Sequence, residues 1–145
     1  MKSILMTVVL LGLIPVAVPA GPLQKPEDAL RDRVHDFTQA LLKEKYDDAM
    51  PFVDPDLVAR WGAEKVKDTG KHFMNYIRGL NEAWFRKLTG FHIRKVEFSK
   101  DKNMAVVDLY YYTGTKSGGA WRQEYPADQH WVLKKNVWYW TTKEP

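Results

Sequence analysis

Beyond its first 25 residues, the chain divides into a part with helical periodicity and a part with strand periodicity. From Pro26 to about Lys45, apolar residues recur three or four positions apart, which predicts an amphipathic helix with one buried stripe. Pro26 suits the first helical turn, and Glu27 and Asp28 favour its positive end. The predicted stripe consists of Leu30, Val34, Phe37, Leu41 and Leu42.

Two short helices are predicted next, because prolines limit their length. Asp47 is a suitable N-cap for the first of them. The pair Asp54-Pro55 begins the second, and Gly62 is a residue suited to end it. This region is therefore expected to form brief helical turns with tight connections.

A second long helix is predicted from Ala63 to Leu88, where the helical period returns. Gly70 is a candidate break near Thr69, because glycine costs about 1 kcal/mol relative to alanine within a helix. Gly90 is the predicted end of the helical region.

After Gly90 the period changes from 3.6 to 2, which predicts strands. The alternation shifts within the first strand, which indicates a β-bulge, and the segment Pro126 to Asp128 interrupts the third. The connections are too short for crossover helices, so an antiparallel meander is expected. Helices followed by a meander predict an α+β fold, with N-terminal helices packed on a curved four-stranded antiparallel sheet. The predicted strands are Phe91–Phe98, Met104–Tyr112, Trp121–Leu133 and Val137–Thr142.

The first 20 residues have the layout of a secretory signal peptide. Lys2 supplies a positive start, the run from Ile4 to Ile14 is apolar and uncharged, and Val18-Pro19-Ala20 places small residues at a cleavage site. The alternative is a membrane anchor, but the apolar run is eleven residues long, whereas a spanning helix needs about 20. We interpret residues 1–20 as a signal peptide, residues 21–25 as a short tether and residues 26–143 as a single domain, with no membrane span after cleavage.

Composition narrows the class of protein further. The chain has no cysteine, so its stability must come from packing rather than disulfides. The formal net charge is +4, and basic and acidic residues are interleaved. Such a small, mixed charge is not the footprint of a nucleic-acid-binding protein. Together with the signal peptide, these features predict a bacterial protein that is periplasmic or secreted.

Several short segments carry a resemblance to a known superfamily. A long helix leads into Tyr46-Asp47-Asp48-Ala49, followed by the apolar pair Phe52-Val53 and by Asp54-Pro55-Asp56-Leu57. A meander then closes on the segment from Leu133 to Tyr139. This arrangement resembles the nuclear transport factor two-like superfamily, also called cystatin-like or ketosteroid-isomerase-like. The resemblance covers about residues 26–143.

The resemblance implies a cone, in which a strongly bent sheet wraps round a long helix and often leaves a pocket at one end. Members include isomerases, dehydratases, hydrolases and non-catalytic binding or assembly modules, and homodimers joined through the sheet are frequent. Because such a fold hosts many functions, the resemblance alone assigns none to this chain.

Asp108 is the candidate catalytic residue, because it interrupts an apolar strand. Strand alternation places it on one face with Val106, Tyr110 and Tyr112. If that face lines a pocket, a buried Asp108 could act as a general base, with Tyr110 or Tyr112 donating a hydrogen bond to a developing oxyanion. The alternative is that Asp108 faces water or a cation of a neighbouring strand, such as Arg94 or Arg122.

Aromatic residues are concentrated in the last two predicted strands. Because both faces of the final strand are aromatic, one face must pack on the helices, and the other is expected to bind a protein or a ligand. The predicted binding residues are Trp121, Trp131, Trp138, Trp140 and Tyr139.

No histidine pair stands at metal-ligand spacing, so neither a metal nor a cofactor is predicted. The leading hypothesis is an exported, non-catalytic binding or assembly module of the cell envelope, which binds a small ligand or an envelope protein through its cone and aromatic sheet. The alternative is a small isomerase- or dehydratase-like pocket enzyme with Asp108 as its base.

Overall fold

The computed structural model of the protein describes residues 24–79, 88–114 and 124–143. These residues form a helical layer followed by a four-stranded antiparallel sheet, which confirms the predicted α+β class. The helices are α1 (Pro26–Leu42), α2 (Tyr46–Ala49), a 3-10 turn (Met50–Phe52), α3 (Pro55–Trp61) and α4 (Ala63–Gly79). The strands are β1 (Leu88–Phe98), β2 (Met104–Thr113), β3 (Glu124–Lys134) and β4 (Val137–Thr141).

Local signals set the ends of several helices as predicted. Pro26 occupies the first turn of α1, with Glu27 and Asp28 beside it. At α3 the Asp54 carboxylate accepts a hydrogen bond from the Asp56 backbone N–H at 3.1 Å, as an N-cap does. Gly62 ends α3 with a φ of +82°, a conformation that glycine adopts without strain.

The second long helix differs from its prediction. The helix α4 runs without a break through Gly70 as far as Gly79. Residues 80–87 of the predicted helix lie outside the described residues, and Leu88, its predicted last residue, begins β1 instead. The conformational cost of Gly70 is offset because α4 buries Val66, Met74 and Ile77 in the core. Gly90 lies inside β1, where the Tyr112 ring covers it so closely that a Cβ would lie 2.4 Å from the Tyr112 hydroxyl oxygen.

Two smaller predictions are also corrected. Helix α2 begins at Tyr46 with Lys45 at the cap position, so Asp47 lies within the first turn. Strand β3 continues through Pro126, which lies opposite Tyr110. Strand β4 pairs only with residues 130–134 of β3. At Pro126 the edge of β3 on that side therefore makes no backbone hydrogen bonds with β4. Proline, which lacks an N–H, is tolerated at such an edge.

The sheet is a meander in the order β1-β2-β3-β4. The register of β1 against β2 shifts between Ile93 and Lys95, which confirms the predicted bulge. Lys135 and Asn136 join β3 to β4 with φ values of +49° and +63°, as in a two-residue type I′ hairpin turn.

Strand alternation gives the sheet an inner face, which packs on the helices, and an outer face. On β2 the inner residues Ala105, Val107, Leu109 and Tyr111 are buried. The outer residues Val106, Asp108, Tyr110 and Tyr112 are partly exposed.

Phe37 of α1 joins the helical layer to the sheet. Its ring meets Trp131 edge-on and stacks on Trp140, each at a centroid distance of 5.6 Å. The aromatic half of the sequence is therefore largely used to pack the sheet on α1. Within the described ranges, no helix is both long and apolar enough to cross a membrane.

Candidate functional site

A cavity of about 140 Å³ lies between the helices and the inner face of the sheet. Helices α1, α2 and α4 contribute most of its wall, and the 3-10 turn with the residue after it, β3 and β4 contribute the rest. Most of the lining side chains are apolar or aromatic. The lining residues are Phe37, Leu41, Tyr46, Ala49, Met50, Val53, Val66, Lys67, Thr69, Gly70, Phe73, Asp128, Gln129 and Trp140.

Gly70 keeps part of this cavity open. A Cβ at Gly70 would lie 3.5 Å from Leu41 Cδ2 and 3.5 Å from Tyr46 Cδ1, which is ordinary van der Waals contact. An alanine would therefore fit, and the surrounding protein does not require glycine at this position. Glycine within a helix was visible in the sequence, but it predicted a helix break rather than a cavity wall.

Gln129 is the buried polar side chain of the lining, with 3% of its surface exposed. Its Oε1 accepts a hydrogen bond from Trp131 Nε1 at 3.1 Å, and its Nε2 donates one to Thr38 Oγ1 at 3.0 Å. The indole N–H can only donate, so this pair of bonds fixes which way the amide points. A rigid, neutral amide thus faces the cavity from β3.

Tyr111 lies next to Gln129 in the core. Its hydroxyl is fully buried and makes no hydrogen bond within the described part of the chain. Burial raises the pKa of Tyr111, while the Gln129 side chain, which faces the hydroxyl as a weak hydrogen-bond partner, acts in the opposite direction. The hydroxyl therefore stays protonated and neutral under ordinary conditions.

Lys67 is the cationic residue of the lining, and two carboxylates neutralise it. Its Nζ lies 2.6 Å from Glu64 Oε1 and 3.0 Å from Asp47 Oδ1. The hydrogen bonds that Lys67 donates to Glu64 and Asp47 raise the pKa of Lys67, so it stays charged and paired. A polar hollow adjoins the cavity here and shares Tyr46 and Lys67 with it.

The predicted catalytic residues lie on the outer face of the sheet. Asp108 Oδ2 accepts hydrogen bonds from Arg94 Nε, at 2.7 Å, and from Arg94 Nη2. The bulge in β1 places Arg94 next to Asp108, and their ion pair raises the pKa of Arg94. This is the alternative contact that the sequence left open.

Tyr110 and Tyr112 stack against His92 at centroid distances of 5.5 and 6.2 Å. Neither tyrosine nor Asp108 lines the cavity. The geometry therefore does not place Asp108 in the cavity, as the enzyme hypothesis requires, and the catalytic role of these residues stays a prediction.

The predicted binding aromatics have different environments. Trp131 is fully buried and Trp138 is 2% exposed, so both serve as core residues and a surface role for them has no structural support. Tyr139 lies beside its own chain, with the Arg33 guanidinium 5.3 Å from its ring centroid. Trp140 alone among the described members of this set lines the cavity. Trp121 lies outside the described residues.

Clusters of histidine, aspartate and glutamate suited to hold a metal are not found in the described ranges. The candidate site is therefore a small apolar cavity with one buried amide, and the predicted homodimer through the sheet stays a prediction.

No protein-family model matches the sequence, and no curated protein matches it. A crystal structure of a proposed NTF2-like transpeptidase from Campylobacter jejuni superimposes with a TM-score of 0.57 and 11% sequence identity, over 79% of this chain and 98% of that chain. This likeness and the observed architecture confirm the nuclear transport factor two-like fold. At this identity the likeness concerns the fold alone.

Two SEC-C motif-containing proteins also superimpose more loosely. The one from Rhodopseudomonas palustris has a TM-score of 0.46 and 14% identity, over 81% of this chain and 75% of its own. The one from Psychrobacter arcticus has a TM-score of 0.47 and 15% identity, over 86% of this chain and 63% of its own.

Proposed function

We propose that the chain is an exported, non-catalytic binding module of the cell envelope, whose cavity holds a small, mostly apolar ligand. The observation that carries this proposal is the cavity of about 140 Å³, with its largely apolar and aromatic wall. Export rests on the pattern of residues 1–20.

The volume of the cavity limits the size of the ligand. An apolar cavity of about 150 Å³ can hold one benzene molecule, whereas pockets for drug-sized molecules are about 300–1,000 Å³. The proposed ligand is therefore about the size of a single ring or a short hydrocarbon chain.

The presence of glycine at position 70 is a second observation that supports the proposal, beside the volume of the cavity. A helix-favouring alanine would fit at this position and would stabilise the helix by about 1 kcal/mol. Glycine leaves a space beside Leu41 and Tyr46 that the methyl group of alanine would fill. A ligand in the cavity would occupy that space.

A titration of the purified protein with toluene, followed by ¹H–¹⁵N NMR, tests the proposal. We expect saturable shifts of the backbone amides of lining residues such as Val66, Gly70 and Phe73, because an apolar ring removes its surface from water inside the cavity. An absence of saturable shifts, or shifts scattered over the surface, would contradict it.

Two matched glycine variants make the test specific to the cavity. Gly70→Ala adds a methyl group between Leu41 and Tyr46, and we expect it to weaken toluene binding about four-fold, the equivalent of one lost methylene contact. It should at the same time raise the stability of α4. Gly79 lies in the same helix, does not line the cavity, and has no described residue within 4 Å of where a Cβ would lie. Gly79→Ala should therefore leave binding unchanged.

Equal weakening by both glycine variants would mean that the effect comes from the helix rather than the cavity. An unchanged toluene affinity in Gly70→Ala would mean that the ligand does not contact this part of the cavity wall. Either result would contradict the proposed site.

A further inference from the structure

The cavity adjoins the polar hollow, and the two spaces share part of their wall. Tyr46 and Lys67 line both of them. The hollow has a volume of about 360 Å³, and most of its lining residues are exposed, so it is open to solvent. A ligand that places an apolar group in the cavity can therefore extend past Tyr46 and Lys67 and place a second group in the hollow.

The hollow differs from the cavity in the chemistry of its wall. The cavity is lined mostly by apolar and aromatic side chains, whereas the wall of the hollow is charged at every position except Tyr46. A ligand that fits both spaces has an apolar part and a charged or strongly polar part, so it is an amphiphile. The lining residues of the hollow are Glu44, Lys45, Tyr46, Asp47, Asp48, Glu64, Lys67 and Lys71.

The ion pairs around the hollow leave one carboxylate in excess. Lys67 is shared by two carboxylates, because its Nζ lies 2.6 Å from Glu64 Oε1 and 3.0 Å from Asp47 Oδ1. Among the described residues of this group, one negative charge therefore has no cation of its own. The other ion pairs each join one cation to one carboxylate, and they are Lys45–Asp48, Lys71–Asp68 and Arg78–Glu44.

The two carboxylates that share Lys67 are accessible to a further partner. The Lys67 side chain is 19% exposed, whereas the side chains of Asp47 and Glu64 are 87% and 81% exposed. A carboxylate offers about four acceptor positions, so each can accept a hydrogen bond from a second ammonium group while it keeps its bond with Lys67. A second cation would also balance the excess negative charge.

The ring of Tyr46 favours a cation at the same boundary. The Nζ of Lys71 lies 5.9 Å from the ring centroid, within the distance of about 6 Å at which an aromatic face attracts an ammonium group. An anion in the hollow would meet the excess carboxylate charge and the negative face of this ring. It would also find the ammonium of Lys67 already matched by Asp47 and Glu64.

We propose that the ligand is a small cationic amphiphile, whose apolar ring or short chain fills the cavity and whose single ammonium group lies in the hollow beside Asp47 and Glu64. This inference rests on the proposed function, because it names the ligand class of the same cavity. Asp47 and Glu64 are then binding residues, whereas the charge of Lys67 opposes the charge of the ligand.

Benzylamine and benzyl alcohol are the probes for this inference, because they have nearly the same shape and differ by an ammonium group in place of a hydroxyl. Their dissociation constants are measured at pH 7 by ¹H–¹⁵N NMR on the unaltered protein. At about 20 mM salt we expect benzylamine to bind about three-fold more tightly than benzyl alcohol, as befits an exposed ion pair. The preference should disappear by about 500 mM salt, because salt screens exposed charges.

Three variants locate the ammonium group. Glu64→Gln removes the excess carboxylate, so the preference for benzylamine over benzyl alcohol should be lost. Lys67→Met leaves both carboxylates without their lysine, so the preference should increase about three-fold. Glu97→Gln is the matched control, because Glu97 is an exposed glutamate paired with Lys95 and lines neither space. Benzyl alcohol should bind to all three variants, which shows that each is folded with its cavity intact.

The possible failures can be told apart. Binding of neither toluene nor benzyl alcohol nor benzylamine would overturn the proposed function and this inference with it. Toluene binding without a preference for benzylamine at low salt, or with a preference that Glu64→Gln leaves unchanged, would overturn this inference alone. Phenylacetate binding as tight as that of benzylamine would overturn the assignment of a cationic group. The salt series on the unaltered protein decides the question where a variant fails to fold.

Discussion

At the scale of single residues, the three consecutive tyrosines of β2 have different environments because a strand alternates its faces. Tyr111 is fully buried on the inner face, whereas Tyr110 and Tyr112 stack with His92 on the outer face. The sequence pattern predicted this division. It could not predict that the Tyr111 hydroxyl would be buried without a hydrogen bond, because that depends on residues from α1 and β3.

Tyr111→Phe removes that hydroxyl and keeps the ring. A buried polar group without a hydrogen bond is unfavourable, so we expect the free energy of unfolding to rise by about 1 kcal/mol or to stay unchanged. Urea denaturation followed by tryptophan fluorescence measures the change. Tyr111→Ala is the comparison variant, and it should lose about 3–5 kcal/mol because it leaves a hole in the core.

A loss of more than about 1 kcal/mol in Tyr111→Phe would contradict this account, because it would mean that the hydroxyl makes a favourable hydrogen bond.

At the scale of elements, an ion-pair cluster joins the end of β3 to the start of α3. Lys134 Nζ lies 2.7 Å from Asp54 Oδ1 and 2.5 Å from Asp56 Oδ2. Asp54 is also the N-cap of α3, and its backbone N–H donates to the Trp140 carbonyl oxygen at 2.8 Å. Sequence reasoning found the cap but not the lysine, which lies 80 residues away.

Acid should weaken this cluster. The hydrogen bond from Lys134 holds the pKa of Asp56 below its ordinary value. A carboxyl whose pKa is lowered by folding stabilises the protein above that ordinary value, and the contribution is lost as the pH falls. We therefore expect Lys134→Met to lower the melting temperature at pH 7, with a difference from the unaltered protein that shrinks between about pH 5 and pH 3.

Lys135→Met is the matched control for this prediction. Lys135 is the next residue, exposed in the β3–β4 turn, and its replacement changes the net charge equally. Its effect on the melting temperature should be small at every pH in the series. A Lys134→Met difference that stays constant down to pH 3 would mean that packing of the lysine stem, rather than its charge, joins the two elements.

The bulge in β1 shows a second element-scale effect. The shifted alternation in the sequence predicted a bulge, and the register confirms it between Ile93 and Lys95. The sequence left open whether Asp108 faces water or a cation such as Arg94 or Arg122, and the sheet shows that Arg94 reaches it from the neighbouring strand. A strand considered alone contains no information about which residue of its neighbour will lie opposite.

At the scale of the whole molecule, the described core is assembled from residues between Leu30 and Trp138. The proposed signal peptide, residues 1–20, lies outside the described residues, and the described core begins at Leu30. This is consistent with a domain that would fold after the segment has been removed.

We therefore expect residues 21–145 to fold cooperatively when produced alone, with a melting temperature within about 2 °C of that of the unprocessed chain. When the whole chain is expressed in a bacterium, mass spectrometry of the periplasmic fraction should find a form that begins at Gly21. Recovery of only the unprocessed chain, from cytoplasm or membrane, would contradict export by cleavage.

The sequence by itself determined the order and type of the elements, because periodicity, proline, glycine and capping signals act over a few residues. Pro26, Asp54 and Gly62 set helix ends as predicted, and the change to a period of 2 marked the sheet. It did not determine where Gly70 and Gly90 would lie, because packing against α1 and β2 outweighs the local preference of glycine.

The tertiary structure alone decided where a ligand can bind. Phe37, Gly70, Gln129 and Trp140 line one cavity although they come from α1, α4, β3 and β4. The same packing placed Trp131 and Trp138 in the core and Asp108 on the outer face beside Arg94. The physical reason is that a cavity is the space left between elements, and its lining depends on how distant segments meet rather than on any local pattern.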